Sequence, residues 1–164
     1  MRALTETEVR ASFVNADPDE LRVMEMPHDF LLVDWDYLDF FAWRDPGAGA
    51  RGYVLIQHEG GIAGVVLHAS GPGRARSGMC NICHTMQPGN QVVLFSARRA
   101  GDAGRRGDSV GTYVCADLSC HESVRLAHPL APNEVRAAGQ IDFRLDGTRR
   151  RMEAFVSRVW ESQD

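Results

Sequence analysis

The chain contains no lysine: all 18 of its basic residues are arginine. A phosphate-binding loop of the G-x-x-x-x-G-K-[ST] form is therefore excluded. Neither G-x-S-x-G nor H-E-x-x-H occurs, which removes two short signatures of hydrolytic enzymes. No apolar run approaches the length of about 18 residues that a membrane-spanning helix needs. The opening MRALTETEVRASF has no apolar core of signal-peptide length and carries acids early, so the expected location is the cytoplasm. Cysteine is scarce as well, at four residues. In a reducing compartment these thiols are expected as ligands or buried side chains rather than as disulfides. The coding bias of a GC-rich bacterial genome accounts for exclusive arginine without any selection for bidentate guanidinium contacts.

What is present fits a globular protein, with 44% hydrophobic and 24% charged residues. A length of 164 residues suits a single domain over 1–164. The net charge of -4 and a pI near 5.8 argue against a general nucleic-acid coat.

Thr5 and Glu8 make a capping box, with Leu4 and Val9 as the hydrophobic staple of a short helix that Asp17-Pro18 ends. The aromatic-rich FLLVDWDYLDFFAWR is read as core, and RDPGAGARG as a turn-rich connector. Two β-branched runs flank Glu59-Gly60-Gly61, an antiparallel hairpin signal. GPGRARSG is a loop. QVVLFSARR and SVGTYVC form a second strand pair, joined by AGDAGRRGD as an exposed, mobile tip. DLSCHESVRLA reads as a short helix capped by Asp117. The stretch 129–147 is punctuated by Pro, Asn and Gly and has no clear pattern. A C-terminal helix at about 148–162 follows, with Met152, Phe155, Val156 and Val159 at i, i+3, i+4 and i+7.

The four cysteines form the pattern C-x2-C, 31 residues, C-x4-C, in Cys80, Cys83, Cys115 and Cys120. Zinc takes four such ligands in a tetrahedron with sulfur about 2.3 Å away. A C-x2-C turn supplies two sulfurs from one tight knuckle. Cys115 ends a strand, and Cys120 falls in the first turn of the expected helix, where free amides favour a thiolate. Knuckle, hairpin and a helix carrying the last ligand make the order of a treble-clef zinc finger. A redox C-x-x-C instead opens a helix within a βαβ frame, which the following Pro88-Gly89 and hairpin do not supply. Four unrelated buried cysteines, or a site in which His84 or His121 replaces a thiolate, remain as alternatives. Four thiolates leave no position for a metal-bound water, so the metal is read as structural.

The runs WRDP…RGYVL, MCNICHT, VLFSARRAG and GRRGDSVGTYVCADLSCHESVR resemble the C-terminal treble-clef zinc-finger domain of the bacterial elongation factor G-binding proteins, which include fusidic acid resistance proteins. The similarity runs from about residue 25 to the end, and VGTYVCADLSC together with the upstream C-x2-C is its most specific part. The resemblance implies an α+β fold of antiparallel hairpins and flanking helices around a treble clef at about 78–127. It also implies Cys80, Cys83, Cys115 and Cys120 as structural zinc ligands, and elongation factor G as a partner that is bound rather than acted on. This chain has only some 25 residues where the drug-resistance members carry an N-terminal helical bundle.

Arg98, Arg99, Arg105 and Arg106, projecting from the second hairpin, are the candidate partner-binding residues; they suit partner carboxylates or ribosomal RNA phosphates. Direct RNA binding is the alternative function. Asp34, Asp36 and Asp39 in VDWDYLD lack catalytic spacing and are read as a solvated face. No enzyme activity, membrane or small-molecule substrate is expected.

Overall fold

The computed structural model describes residues 1–71, 76–126 and 139–160. Its first helix, α1 (Glu6–Ala11), is capped as its sequence predicts. The Glu8 N–H donates to Thr5 Oγ1 at 3.3 Å, and the Thr5 N–H donates to the Glu8 carboxylate at 2.8 Å. Leu4 and Val9 are both buried. The helix ends at Ala11, well before Asp17, because residues 12–14 are drawn out against a neighbouring strand. There the Gly64 N–H donates to the Ser12 carbonyl and the Val14 N–H to the Gly64 carbonyl, each at 2.9 Å. Asp17-Pro18, expected to end a helix, instead begins a second one, α2 (Pro18–Arg22). Proline suits its first position, where the missing N–H would have had no partner.

The strands are β1 (Phe40–Arg44), β2 (Arg51–His58), β3 (Gly61–Ala69), β4 (Gly78–Met79), β5 (Met86–Gln87), β6 (Val92–Arg98) and β7 (Ser109–Cys115). Helices α3 (Gly101–Arg105), α4 (Cys120–Ser123) and α5 (Gln140–Trp160), with two 3-10 turns at Phe30–Leu32 and Trp35–Tyr37, complete the described elements. Five strands form one sheet in the order β1-β2-β3-β6-β7, and β4 pairs with β5 separately. The fold is thus α+β and antiparallel, as expected. Glu59-Gly60 closes the β2–β3 hairpin, with Gly61 at φ +132°, a conformation that only glycine adopts readily. The two expected hairpins are joined along a short seam, His68↔Ser96 and Ala69↔Phe95. Beyond it the strands part and the Asn15 side chain fills the gap. Its carbonyl oxygen accepts from the Val66 N–H at 2.8 Å, and its amide donates to the carbonyls of Val66 at 3.1 Å and Arg98 at 2.8 Å.

Both faces of this sheet are covered, and alternate residues serve each. Phe40, Val54, Ile56, Val65 and Leu67 face the cysteines and α5, whose Met152, Phe155, Val156 and Val159 are all buried. Phe41, Trp43, Tyr53, Leu55 and Val66 face the N-terminal segment, with Leu4, Val9, Met24 and Leu38. Only part of the aromatic stretch is core: Leu38, Phe40, Phe41 and Trp43 are buried, whereas Leu31, Leu32 and Tyr37 are exposed. Phe41 stacks on Trp43 at 4.8 Å between ring centroids, and Trp43 lies 4.8 Å from Tyr53. Asp45 ties the connector after β1. Its buried carboxylate accepts from the Gly47 and Ala48 amides and from the Tyr53 hydroxyl at 2.6 Å. Burial, and then that bond, push the Tyr53 phenol well above its ordinary range.

Two further expectations are corrected. The AGDAGRRGD tip is not an open loop: it contains α3, where a Cβ on Gly104 would stand 1.8 Å from the Arg99 carbonyl oxygen. The C-terminal helix begins at Gln140, eight residues earlier than the expected 148. Asp146 pairs with Arg149 and Arg150 one turn on, each at 2.8 Å, and carries the helix through Gly147. The loop expected at 71–78 falls partly, and the first part of the unpatterned stretch at 129–147 wholly, outside the described residues. No described helix is long and apolar enough to cross a membrane.

Candidate metal centre

Four sulfurs converge where the β6–β7 hairpin meets the small β4–β5 ribbon. In the first knuckle the Ile82 and Cys83 amides point back at Cys80 Sγ, at 3.3 and 3.4 Å. The turn closes through the His84 N–H on the Cys80 carbonyl, at 3.0 Å, with His84 in the left-handed region at φ 53°. The second knuckle repeats the device. The Leu118 N–H donates to the Cys115 carbonyl at 2.9 Å, and Leu118 sits at φ 63°. Asp117, expected as the helix cap, instead accepts from the Ser119 N–H at 3.0 Å and from the Ser119 hydroxyl at 2.7 Å. This Asx turn delays the helix, so Ser119 is the cap and Cys120 the first residue of α4.

All four cysteines are buried and free of disulfides, and their Sγ atoms lie within 4.8 Å of one another. Cys80 Sγ is 3.5 Å from Cys120 Sγ, and Cys83 Sγ is 3.6 Å from Cys115 Sγ. A tetrahedron with metal–sulfur bonds of 2.3 Å has edges of about 3.8 Å, so these separations suit a single bound ion. Among the described residues the group holds the cysteines alone. His84 is exposed, and His121 packs edge-on against Phe40 and Tyr37.

The protonation of the cluster points the same way. Bonds from Cys115, Cys120 and Cys83 pull the Cys80 thiol far below its ordinary value. Bonds with Cys115 and then Cys120 bring Cys83 to about 7. Cys120 is pushed well up, by its bonds with Cys115 and Cys80 and then by burial. For Cys115 the bond with Cys120 favours the thiolate, but those with Cys80 and Cys83, together with burial, outweigh it and raise the thiol. Four sulfurs this close cannot all ionise without a cation; a divalent ion removes the conflict.

Outside the cysteines, Gln87 Nε2 donates to Cys115 Sγ at 3.7 Å and the Ser123 hydroxyl lies 3.8 Å from the same sulfur. Arg151 donates from Nε to the Ile82 carbonyl, inside the first knuckle, at 2.6 Å. Their spacing in the chain carries no signal for these contacts, since they arrive from β5, α4 and α5.

A family model described as FBP C-terminal treble-clef zinc-finger matches residues 8–159. The chain belongs to that family. The buried four-cysteine centre of this treble-clef zinc finger is consistent with structural Zn2+. No curated protein and no solved structure matches the chain.

The four arginines expected at the hairpin tip of the finger fall into two groups. Arg98 turns inward to the N-terminal segment, 2.8 Å from Asp17 and 3.3 Å from Glu20. Arg99 donates to the Arg158 carbonyl at 2.7 Å. Arg105 and Arg106 are exposed, and Arg105 pairs with Asp102.

Proposed function

We propose that this protein is a zinc-stabilised binding protein for elongation factor G, altering that factor's interaction with the ribosome. The carrying observation is the family match over 8–159 together with its buried four-thiol centre. In this reading Cys80, Cys83, Cys115 and Cys120 ligate zinc. Four thiolates complete the tetrahedron and leave no coordination position for substrate, so the metal holds a surface in shape rather than doing chemistry. Arg105 and Arg106 are the tip residues directed outward, and they contact the partner. Arg98 and Arg99 brace the tip from behind.

Titration calorimetry of the zinc-loaded protein against elongation factor G from the same organism tests this. The expected result is a saturable one-to-one isotherm, lost in Cys80→Ser and weakened several-fold by changing Arg105 and Arg106 to serine. Absence of heat and of co-elution overturns the reading.

A further inference from the structure

Helix α5 carries two kinds of arginine. Arg149 and Arg150 are held by Asp146 and Glu153 at 2.8 to 2.9 Å. Arg144, Arg151 and Arg158 have no carboxylate partner among the described residues. They follow one another at i, i+7 and i+14, so they line one edge of the helix at intervals of about 10 Å. Contacts confirm the common edge. Arg144 reaches Thr85 Oγ1 at 3.3 Å, Arg151 reaches the Ile82 carbonyl, and Arg158 lies over the Phe155 ring at 5.7 Å.

Beside this row runs a groove of about 450 Å³, lined by Asn81, Thr112, Arg151, Arg158, Ala154 and Gly111 with Ile82 and Phe155 at its base. No acid lines it. Ile82 and Phe155 are each 2% exposed, so the groove offers no apolar anchor of the kind that centres a protein–protein interface. Three evenly spaced cations without carboxylate partners, of which Arg151 also faces the cysteine thiolates, complement a regular polyanion instead.

We propose that the edge of α5 bearing Arg144, Arg151 and Arg158, with the adjoining groove, binds the phosphodiester backbone of double-stranded RNA. Its guanidinium groups, about 10 Å apart, contact phosphates spaced along the backbone rather than adjacent ones, and Asn81 supplies a further polar contact at the rim. The choice of RNA over DNA rests on the translational reading above; the anion site itself does not. On a chain of net charge -4 such binding is local and sequence-independent.

The test is fluorescence anisotropy of a labelled RNA duplex of about 16 base pairs, titrated with zinc-loaded protein and no elongation factor. Three phosphate contacts should lower affinity by roughly 40-fold between 50 and 200 mM salt. Arg158→Gln, which touches neither knuckle, should weaken binding at least about 3-fold and reduce the salt slope by about one, with zinc content and melting temperature unchanged. Arg144→Gln should act alike. No binding at low salt, or binding indifferent to both variants, overturns the proposal. Equal binding of a DNA duplex overturns the choice of RNA, and binding of poly-glutamate in its place assigns the edge to an acidic protein. Because elongation factor is absent, this result and the calorimetric one fail independently.

Discussion

The two faces of the sheet both bury apolar cores, the larger on the cysteine side, but are closed in different ways. On the N-terminal face the covering segment is continuous, residues 1–38, and it is held by ordinary burial, capped short helices and an aromatic stack. On the other face the cover is discontinuous. Two knuckles and α5 arrive from residues 80 to 159, and short turns such as Cys120–Ser123 cannot hold themselves. Where the chain supplies length, packing suffices; where it supplies scattered turns, four sulfurs converge.

The largest expected effect separates the faces directly. Chelation of the metal, or Cys80→Ser, should lower the melting temperature by at least about 10 °C, since structural zinc contributes on the order of 10 kcal/mol to such knuckles. Amide exchange should accelerate at Val114, Cys120 and Val124 before it does at Leu55 and Val66. Melting and exchange unchanged by a strong chelator would show that both faces are closed by packing alone.

A middle-sized effect lies at the join. Asn15→Ala strips the Val66 amide and carbonyl and the Arg98 carbonyl of their partner in a buried gap. It should cost about 1–3 kcal/mol in denaturant unfolding while leaving zinc content at one per chain. Loss of zinc in this variant would mean the two faces are not separable.

The smallest effect sits at the outer edge of the N-terminal face. Hydrogen bonds from Thr5 backbone and side chain, with help from Arg2, bring Glu8 down to about 2 from 4.5. A carboxyl depressed by folding stabilises fully above its unfolded value, and that contribution fades as pH falls from about 4.5 toward 2. Carbon-detected NMR should show Glu8 titrating near 2, and Thr5→Ala, which keeps the larger backbone bond, should raise it only part of the way. An ordinary value in the unaltered protein would remove the capping box from solution.

How much of this was legible follows the range of each interaction. The capping box, the β2–β3 turn, the α5 core positions and the C-x2-C/C-x4-C pattern are local or periodic, and they read correctly from the chain. Asn15, Gln87 and Arg151 do not, because their partners lie far away in sequence and no spacing announces them. The ion pairs of Arg98 with Asp17 and Glu20 are hidden for the same reason, since those acids lie 81 and 78 positions away in the chain. The start of α5 was hidden in the unpatterned stretch 129–147, where the ion pairs of Asp146 with Arg149 and Arg150 carry the helix through Gly147.

The narrow seam between the hairpins also sets an order of events in folding. Each hairpin closes a short loop and forms early, whereas the seam joins only two residue pairs and is completed by Asn15 from 51 and 83 positions away. Until that late closure, the inner edges of β3 and β6 expose unpaired backbone to any neighbouring chain. Nascent protein is therefore most prone to misassociate through these two inner strands, which in the finished molecule lie inside the five-stranded sheet.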